Sequence, residues 1–386
     1  MPRNILSVVL CLAVFFLASC APKESSSVTE PDGTQPTGDN VLPGDDVLPP
    51  ADNPDTTAEE NKPVYVHQRG FNPCQFNFGA AWDDQKERDS SNYAGLDYIS
   101  VWLGDNDYYN VFETRMVRMC TAIHATPMVY AYVIAEFGKD HGLSDCNVKN
   151  TEETLCSKGA ELIREFFADS ILFRYKAYAE GMRDQLVDYL DQDINTYETL
   201  WLIEPDLYQY SESASKQKNK YDGEAQEGGG IPDAEIGYYF KQIVETIKTY
   251  LPAAKIVADL SPWIADKDTA GLSKWFSNFD MSQIDYVGTS GGTSLANSAK
   301  ITGPNKLTWI KAFEVTGKPV LADAGYGAGG GSTGHKVAWD DVANITARMA
   351  DGVIGVMQMN AAKDYPFRAD TIRPQLTYRY PWCPEE

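Results

Sequence analysis

Histidine is nearly absent from this 386-residue chain, and four widely scattered residues leave no His-rich metal site. Positive charge is short as well: 33 Lys and Arg face 55 Asp and Glu, a formal net charge of −22. Phosphate backbones are bound by clustered Lys and Arg that displace counterions, so nucleic acid is excluded as a partner. No apolar run is long enough to span a bilayer comfortably. General disorder is excluded too, because 43% hydrophobic and 12% aromatic residues supply a core. One large α/β domain or two ordinary ones fit this length.

Residues 1–20 have the layout of an export signal. Arg3 supplies the positive start, and Ile5 to Leu17 is apolar but for Ser7 and Cys11. The segment ends Leu17-Ala18-Ser19-Cys20, which resembles a bacterial lipobox. That resemblance implies a lipidated Cys20 and a lipoprotein of the cell surface, outer membrane or periplasm, tethered to a membrane without spanning it. An ordinary signal peptide with a chance cysteine is the alternative. Residues 21–62 are acidic and rich in Pro, Gly, Ser and Thr, a composition expected to stay extended as a linker. The folded domain is expected over 63–386.

Seven cysteines are present. Setting aside Cys11 and Cys20 leaves Cys74, Cys120, Cys146, Cys156 and Cys383. In an oxidising compartment Cys146 and Cys156, bracketing a short polar loop, are the first pairing to expect. Cys74 and Cys383, at the two ends of the folded region, are the second. Cys120 would then be free and buried on a helix over Val111–Ile123.

Short apolar runs alternate with helix-period stretches from Phe76 onward. The strands expected are Phe76–Trp82, Leu96–Leu103, Pro127–Ile134, Leu200–Ile203, Lys255–Ala258, Ile284–Gly288, Pro319–Ala322 and Val353–Met359. Helix-period stretches include Arg174–Leu190, which puts Tyr175, Tyr178, Met182, Leu186 and Tyr189 on one side. Strand then helix, about eight times over, is the pattern of a single (β/α) barrel of the TIM kind. An open doubly wound sheet shares the alternation, but it wants a phosphate-binding first turn that is missing here.

Acids follow the strands. Asp83, Asp105, Glu136, Asp140, Glu204, Asp206, Asp259, Asp323 and Asp364 all lie at or beyond expected strand ends. In a barrel those ends converge on one face. A carboxylate mouth rimmed by Trp82, Trp102, Trp263, Tyr132 and Tyr326 suits sugar chemistry, whereas Trp201 and Trp309 read as core. The hydroxyls of Gly288-Thr289-Ser290-Gly291-Gly292-Thr293 are further candidates for bonding sugar.

The segment Tyr175-Lys176-Ala177-Tyr178…Leu200-Trp201-Leu202-Ile203-Glu204-Pro205-Asp206-Leu207 resembles the core signature of glycoside hydrolase family 6, the inverting cellulases. The resemblance implies that Asp206 is the general acid, although the serine that follows it in the family is missing. Tyr132-Val133-Ile134-Ala135 with Gly138-Lys139-Asp140 is similar to the family's Y-x-I-P-x-R-D element. It makes Tyr132 a sugar contact and Asp140 the residue that keeps the acid protonated. A cysteine should follow that aspartate; His141 does, so Asp145-Cys146 is a rival alignment. Asp259 with Trp263 matches the strand-five aspartate and its tryptophan. Asn360-Ala361-Ala362-Lys363-Asp364 is similar to the element carrying the base, which implies Asp364 in that role; Asp323 is the other choice.

Three readings stay open. The first is a secreted, lipid-anchored hydrolase of β-1,4-glucan that inverts the anomeric centre, with Asp206 as acid and no cofactor or metal. The second is a retaining barrel glycosidase with Glu204 as acid/base and Asp323 as nucleophile. The third is a non-catalytic glycan-binding lipoprotein. All three imply a polysaccharide or oligosaccharide partner and a monomer.

Overall fold

The computed structural model describes residues 70–384 except 84–89, 106–107, 147–152, 212–229, 262–263, 265–268, 291–293, 302–306 and 326–333. All of them belong to the unit Pro63–Glu386. The export signal with Cys20, the linker, Trp263 and Tyr326 lie outside the described residues.

Eight parallel strands close a barrel in the order of the chain. They are β1 (Asn77–Ala81), β2 (Tyr98–Leu103), β3 (Thr126–Ala131), β4 (Leu200–Ile203), β5 (Lys255–Leu260), β6 (Tyr286–Thr289), β7 (Val320–Asp323) and β8 (Val353–Gln358). The described helices outside them are α1 (Val111–Ile123), α2 (Val133–Asp140), α3 (Leu155–Phe166), α4 (Leu172–Asp184), α5 (Leu207–Ser211), α6 (Asp233–Tyr250), α7 (Thr269–Phe276), α8 (Trp309–Thr316), α9 (Val342–Ala350) and α10 (Tyr365–Ile372). Strands this apolar, buried on both faces, are what a closed parallel sheet under helices requires.

The barrel is filled, not hollow. A Cβ on Gly79 would sit 2.5 Å from the Tyr98 ring, so glycine on β1 makes room for an aromatic on β2. Trp201 and Trp309 are fully buried, as the sequence implies.

Most strand bounds shift by one or two residues from expectation, and two differences matter more. The third strand ends at Ala131, three residues early, because Tyr132 already caps α2. The helix through Tyr175, Tyr178, Met182 and Leu186 buries those four residues, yet Tyr189 is 72% exposed. A π-helical turn over Gln185–Tyr189 changes the rotation per residue and swings Tyr189 off the buried stripe.

Cys74 bonds Cys383 and Cys146 bonds Cys156, while Cys120 is free and buried. The first bond joins residues 309 apart, so it restricts nearly the whole unfolded domain. Replacing Cys74 and Cys383 together by serine is expected to lower unfolding free energy by about 2–5 kcal/mol, read as a fall in melting temperature. An unchanged melting temperature would show that the closure carries no stability.

Candidate functional site

Everything at the mouth follows from a turn. Ile203 closes β4, and Glu204 still donates its N–H to Ala131 O of β3 at 2.9 Å. The next residues leave the sheet: φ is +46° at Glu204 and +73° at Asp206, left-handed values that cost a non-glycine residue about 1–2 kcal/mol each. This turn separates the two acids.

Glu204 is fully buried. Its Oε1 accepts from the Ile134 N–H at 2.8 Å and from the Tyr175 hydroxyl at 2.5 Å. Ile134 is in the first turn of α2, where unpaired N–H groups and the helix dipole favour an acceptor. The expectation that Glu204 points into the mouth beside Asp206 is therefore corrected. Left-handed backbone at Glu204 stops the strand alternation on which it depended, and the side chain holds α2 to α4. With it falls the pairing of Glu204 and Asp323 as a retaining couple.

Asp206 is partly exposed. Its N–H donates to Asp259 Oδ2 at 3.3 Å, and its Oδ1 accepts from Gln209 Nε2 on α5 at 2.6 Å. Asp259, at the end of β5, is held well above the usual carboxylate range by burial first and by the Asp206 charge second. Ser290 Oγ donates to Asp259 Oδ1 at 2.5 Å, and Thr289 Oγ1 accepts from the Asp323 N–H at 2.8 Å. So these two hydroxyls bond Asp259 and Asp323.

Asp323 closes β7. Burial pushes its carboxyl from 3.8 to about 7, against the pull of the Gly325 N–H and the Tyr130 hydroxyl. Tyr130, on β3, feels both Asp323 and Asp259 and so ties them across the barrel. Three acids foreseen from the sequence thus meet.

Two others do not. Asp140 is half exposed and its Oδ2 pairs with Arg174 at 2.6 Å, where β3 ending early leaves it on the far end of α2. Asp364 is exposed and paired with Arg368 one helical turn on, which lowers its pKa. Neither is placed to hold up or complement Asp206. Asp145, beside the Cys146–Cys156 bond, answers instead: its charge reaches the hydroxyls of Tyr132 and Tyr210, as does that of Asp206.

Beside this cluster lies a cavity of about 620 Å³ between the ends of β1, β2, β3 and β8, walled by Trp82, Trp102, Phe112 and Tyr132. Trp102 stacks on Tyr130 at 4.9 Å and meets the Tyr132 ring edge-on at 5.4 Å. The sequence pointed to three of these four rings. It missed Tyr130, Tyr210 and Gln209; of these only Tyr130 has a signal, two residues before Tyr132 on one strand.

Burial raises Glu204 from 4.5 to about 8, so the folded chain keeps a proton that the unfolded chain releases. Its contribution to stability is full below pH 4.5 and is lost as pH rises to about 8. Urea unfolding of Glu204→Gln across that window is expected to remove about 1.4 kcal/mol per pH unit from the slope. A slope equal to that of the parent chain would place the proton elsewhere.

No protein-family model matches this chain, and no curated protein matches it. Solved structures do. The chain is similar to the N-terminal endo-1,4-β-D-xylanase 10B of Clostridium thermocellum, with 13% identity and a TM-score of 0.47, over 79% of this chain and 67% of that one. It is similar to a β-1,4-D-mannanase from Cryptopygus antarcticus, with 11% identity and a TM-score of 0.44, over 79% and 91%. A β-mannanase from the blue mussel Mytilus edulis gives 13% and 0.42, over 79% and 92%. These identities are too low to carry a residue's role across.

Proposed function

We propose that this protein is a glycoside hydrolase whose site is the mouth between β4, β5 and β7. The observation that carries the reading is the meeting of Asp206, Asp259 and Asp323 there, with Asp259 and Asp323 held above the ordinary carboxylate range. Hydrolysis of a glycosidic bond asks for one carboxyl that still holds a proton and another that activates water. Crowding of like charges supplies the first condition.

In this reading Asp206, the most exposed of the three, delivers the proton to the leaving oxygen. Asp259, which burial and the Asp206 charge hold protonated, shares one proton with it, and Gln209 fixes its orientation. Asp323, on the opposite strand end, activates water, and Tyr132 and Trp102 hold the sugar faces. Inversion asks that the carboxyls of Asp206 and Asp323 stand about 6.5–9.5 Å apart, leaving room for the water. A β-1,4-glucan substrate follows from the family-6 motifs around Tyr175 and Asp206. Export and lipidation at Cys20 follow from the lipobox, and two disulfides accord with an oxidising compartment.

Reducing-sugar release from cellulose, mixed-linkage glucan, xylan and mannan tests the activity and its substrate. Asp206→Ala is expected to lower turnover on an ordinary glycan by about 10²–10⁴-fold. An unaffected Asp206→Ala enzyme would remove the acid, and no release from any glycan would leave a binding protein. Because Asp323 must be ionised to act, kcat/KM should rise with pH up to about 7, and Asp323→Asn should abolish that limb together with most of the activity.

A further inference from the structure

Tyr132, which borders the cavity and meets Trp102 edge-on, stands at the start of α2 but gives that helix no side-chain hydrogen bond. Glu204 supplies one from the end of β4. Its Oε1 accepts the Ile134 N–H at 2.8 Å and the Tyr175 hydroxyl at 2.5 Å, and the Val133 N–H also bonds the carboxyl. The first N–H groups of a helix want such an acceptor, and here it is borrowed from another strand. Tyr132 is tied on its other side by its own N–H, which donates to Leu103 O at 2.9 Å. The place of its ring therefore depends on two holds, and Glu204 makes one of them.

The other oxygen of this carboxyl is alone. Glu204 is fully buried, and its Oε2 has no hydrogen-bond partner. Donors fill Oε1, so the proton of the neutral acid sits on Oε2. Burial raises the carboxyl to about 8, the donors pull it down, and Glu136 on α2 opposes its ionisation. The cations nearby are taken: Lys139 pairs with Glu136 at 2.5 Å and Arg174 with Asp140 at 2.6 Å. Tyr132 and Tyr175 are themselves held neutral, in part by the Glu204 charge, while Asp206 is turned to Asp259 and Gln209. An ionised Glu204 would thus leave charge on an oxygen with neither donor nor cation. Either water enters or the side chain leaves the start of α2.

We propose that Glu204 is a positioning residue whose neutral form holds Tyr132 in its sugar-binding place and whose ionisation releases it. The inference deepens the proposed function and rests on it only in that Tyr132 contacts the glycan. Substrate affinity then falls as pH rises through about 8, because only the protonated chains bind.

The test is calorimetric binding of the β-1,4-linked glucose tetramer to the Asp206→Ala chain, which turns it over slowly. The dissociation constant is expected to rise about tenfold between about pH 7 and about pH 9. Adding Glu204→Gln, whose amide oxygen accepts the same donors but cannot ionise, should give the tighter affinity at both values. Adding Glu204→Ala should weaken binding at both. A dissociation constant indifferent to pH, one that still rises with Glu204→Gln in place, or Glu204→Ala binding as tightly as Glu204→Gln overturns this inference alone. So does a Glu204→Gln enzyme, Asp206 intact, that is as inactive at about pH 6 as Asp206→Ala, because Glu204 would then act on substrate directly. Binding by none of these chains overturns the glycan reading as well.

Discussion

The site depends on where one buried carboxyl goes. Glu204 leaves the end of β4 in a left-handed conformation and places its Oε1 on the Ile134 N–H and the Tyr175 hydroxyl. That contact locks the start of α2, and with it Tyr132, against the strand that carries Asp206. An acid buried without a counter-charge is tolerable because it retains its proton and meets the N-terminal dipole of a helix. Once Glu204 is committed to the helical layer, Asp206 is free to turn the other way, onto Asp259.

Acid crowding is the second consequence. Parallel strands bring their carboxyl ends to one face, so residues 53 and 64 positions beyond Asp206 and Asp259 respectively become neighbours of the same tyrosine and serine shell. Burial raises Asp259 and Asp323, and proximity raises Asp259 further. Stability is given up at neutral pH to keep these protons in place, the usual sign of a site shaped for chemistry in place of strength.

Much of this was legible in the sequence. The eight strands showed through their apolar runs, and both disulfides followed from which cysteines sat at loop ends and domain ends. Asp206, Asp259 and Asp323 could be read because each ends a strand, a local property. What escaped was governed by backbone hand and by partners distant in the chain. Nothing in Ile203-Glu204-Pro205-Asp206 announces positive φ at two acids, so Glu204 read as a mouth residue. Asp140 and Asp364 read as acids at strand ends, but Arg174 and Arg368 claim them. The helical period of the Arg174–Leu190 stretch could not reveal the π turn that exposes Tyr189.

The central claim is that the carboxyls of Asp206, Asp259 and Asp323 share one crowded pocket. A carbon-13 NMR titration of the aspartate carboxyls, in the parent chain and in Asp206→Asn, tests it most directly. The account predicts midpoints for Asp259 and Asp323 well above 3.8, with that of Asp259 falling when the Asp206 charge is removed. Ordinary midpoints near 3.8, or an Asp259 midpoint indifferent to Asp206→Asn, would contradict it.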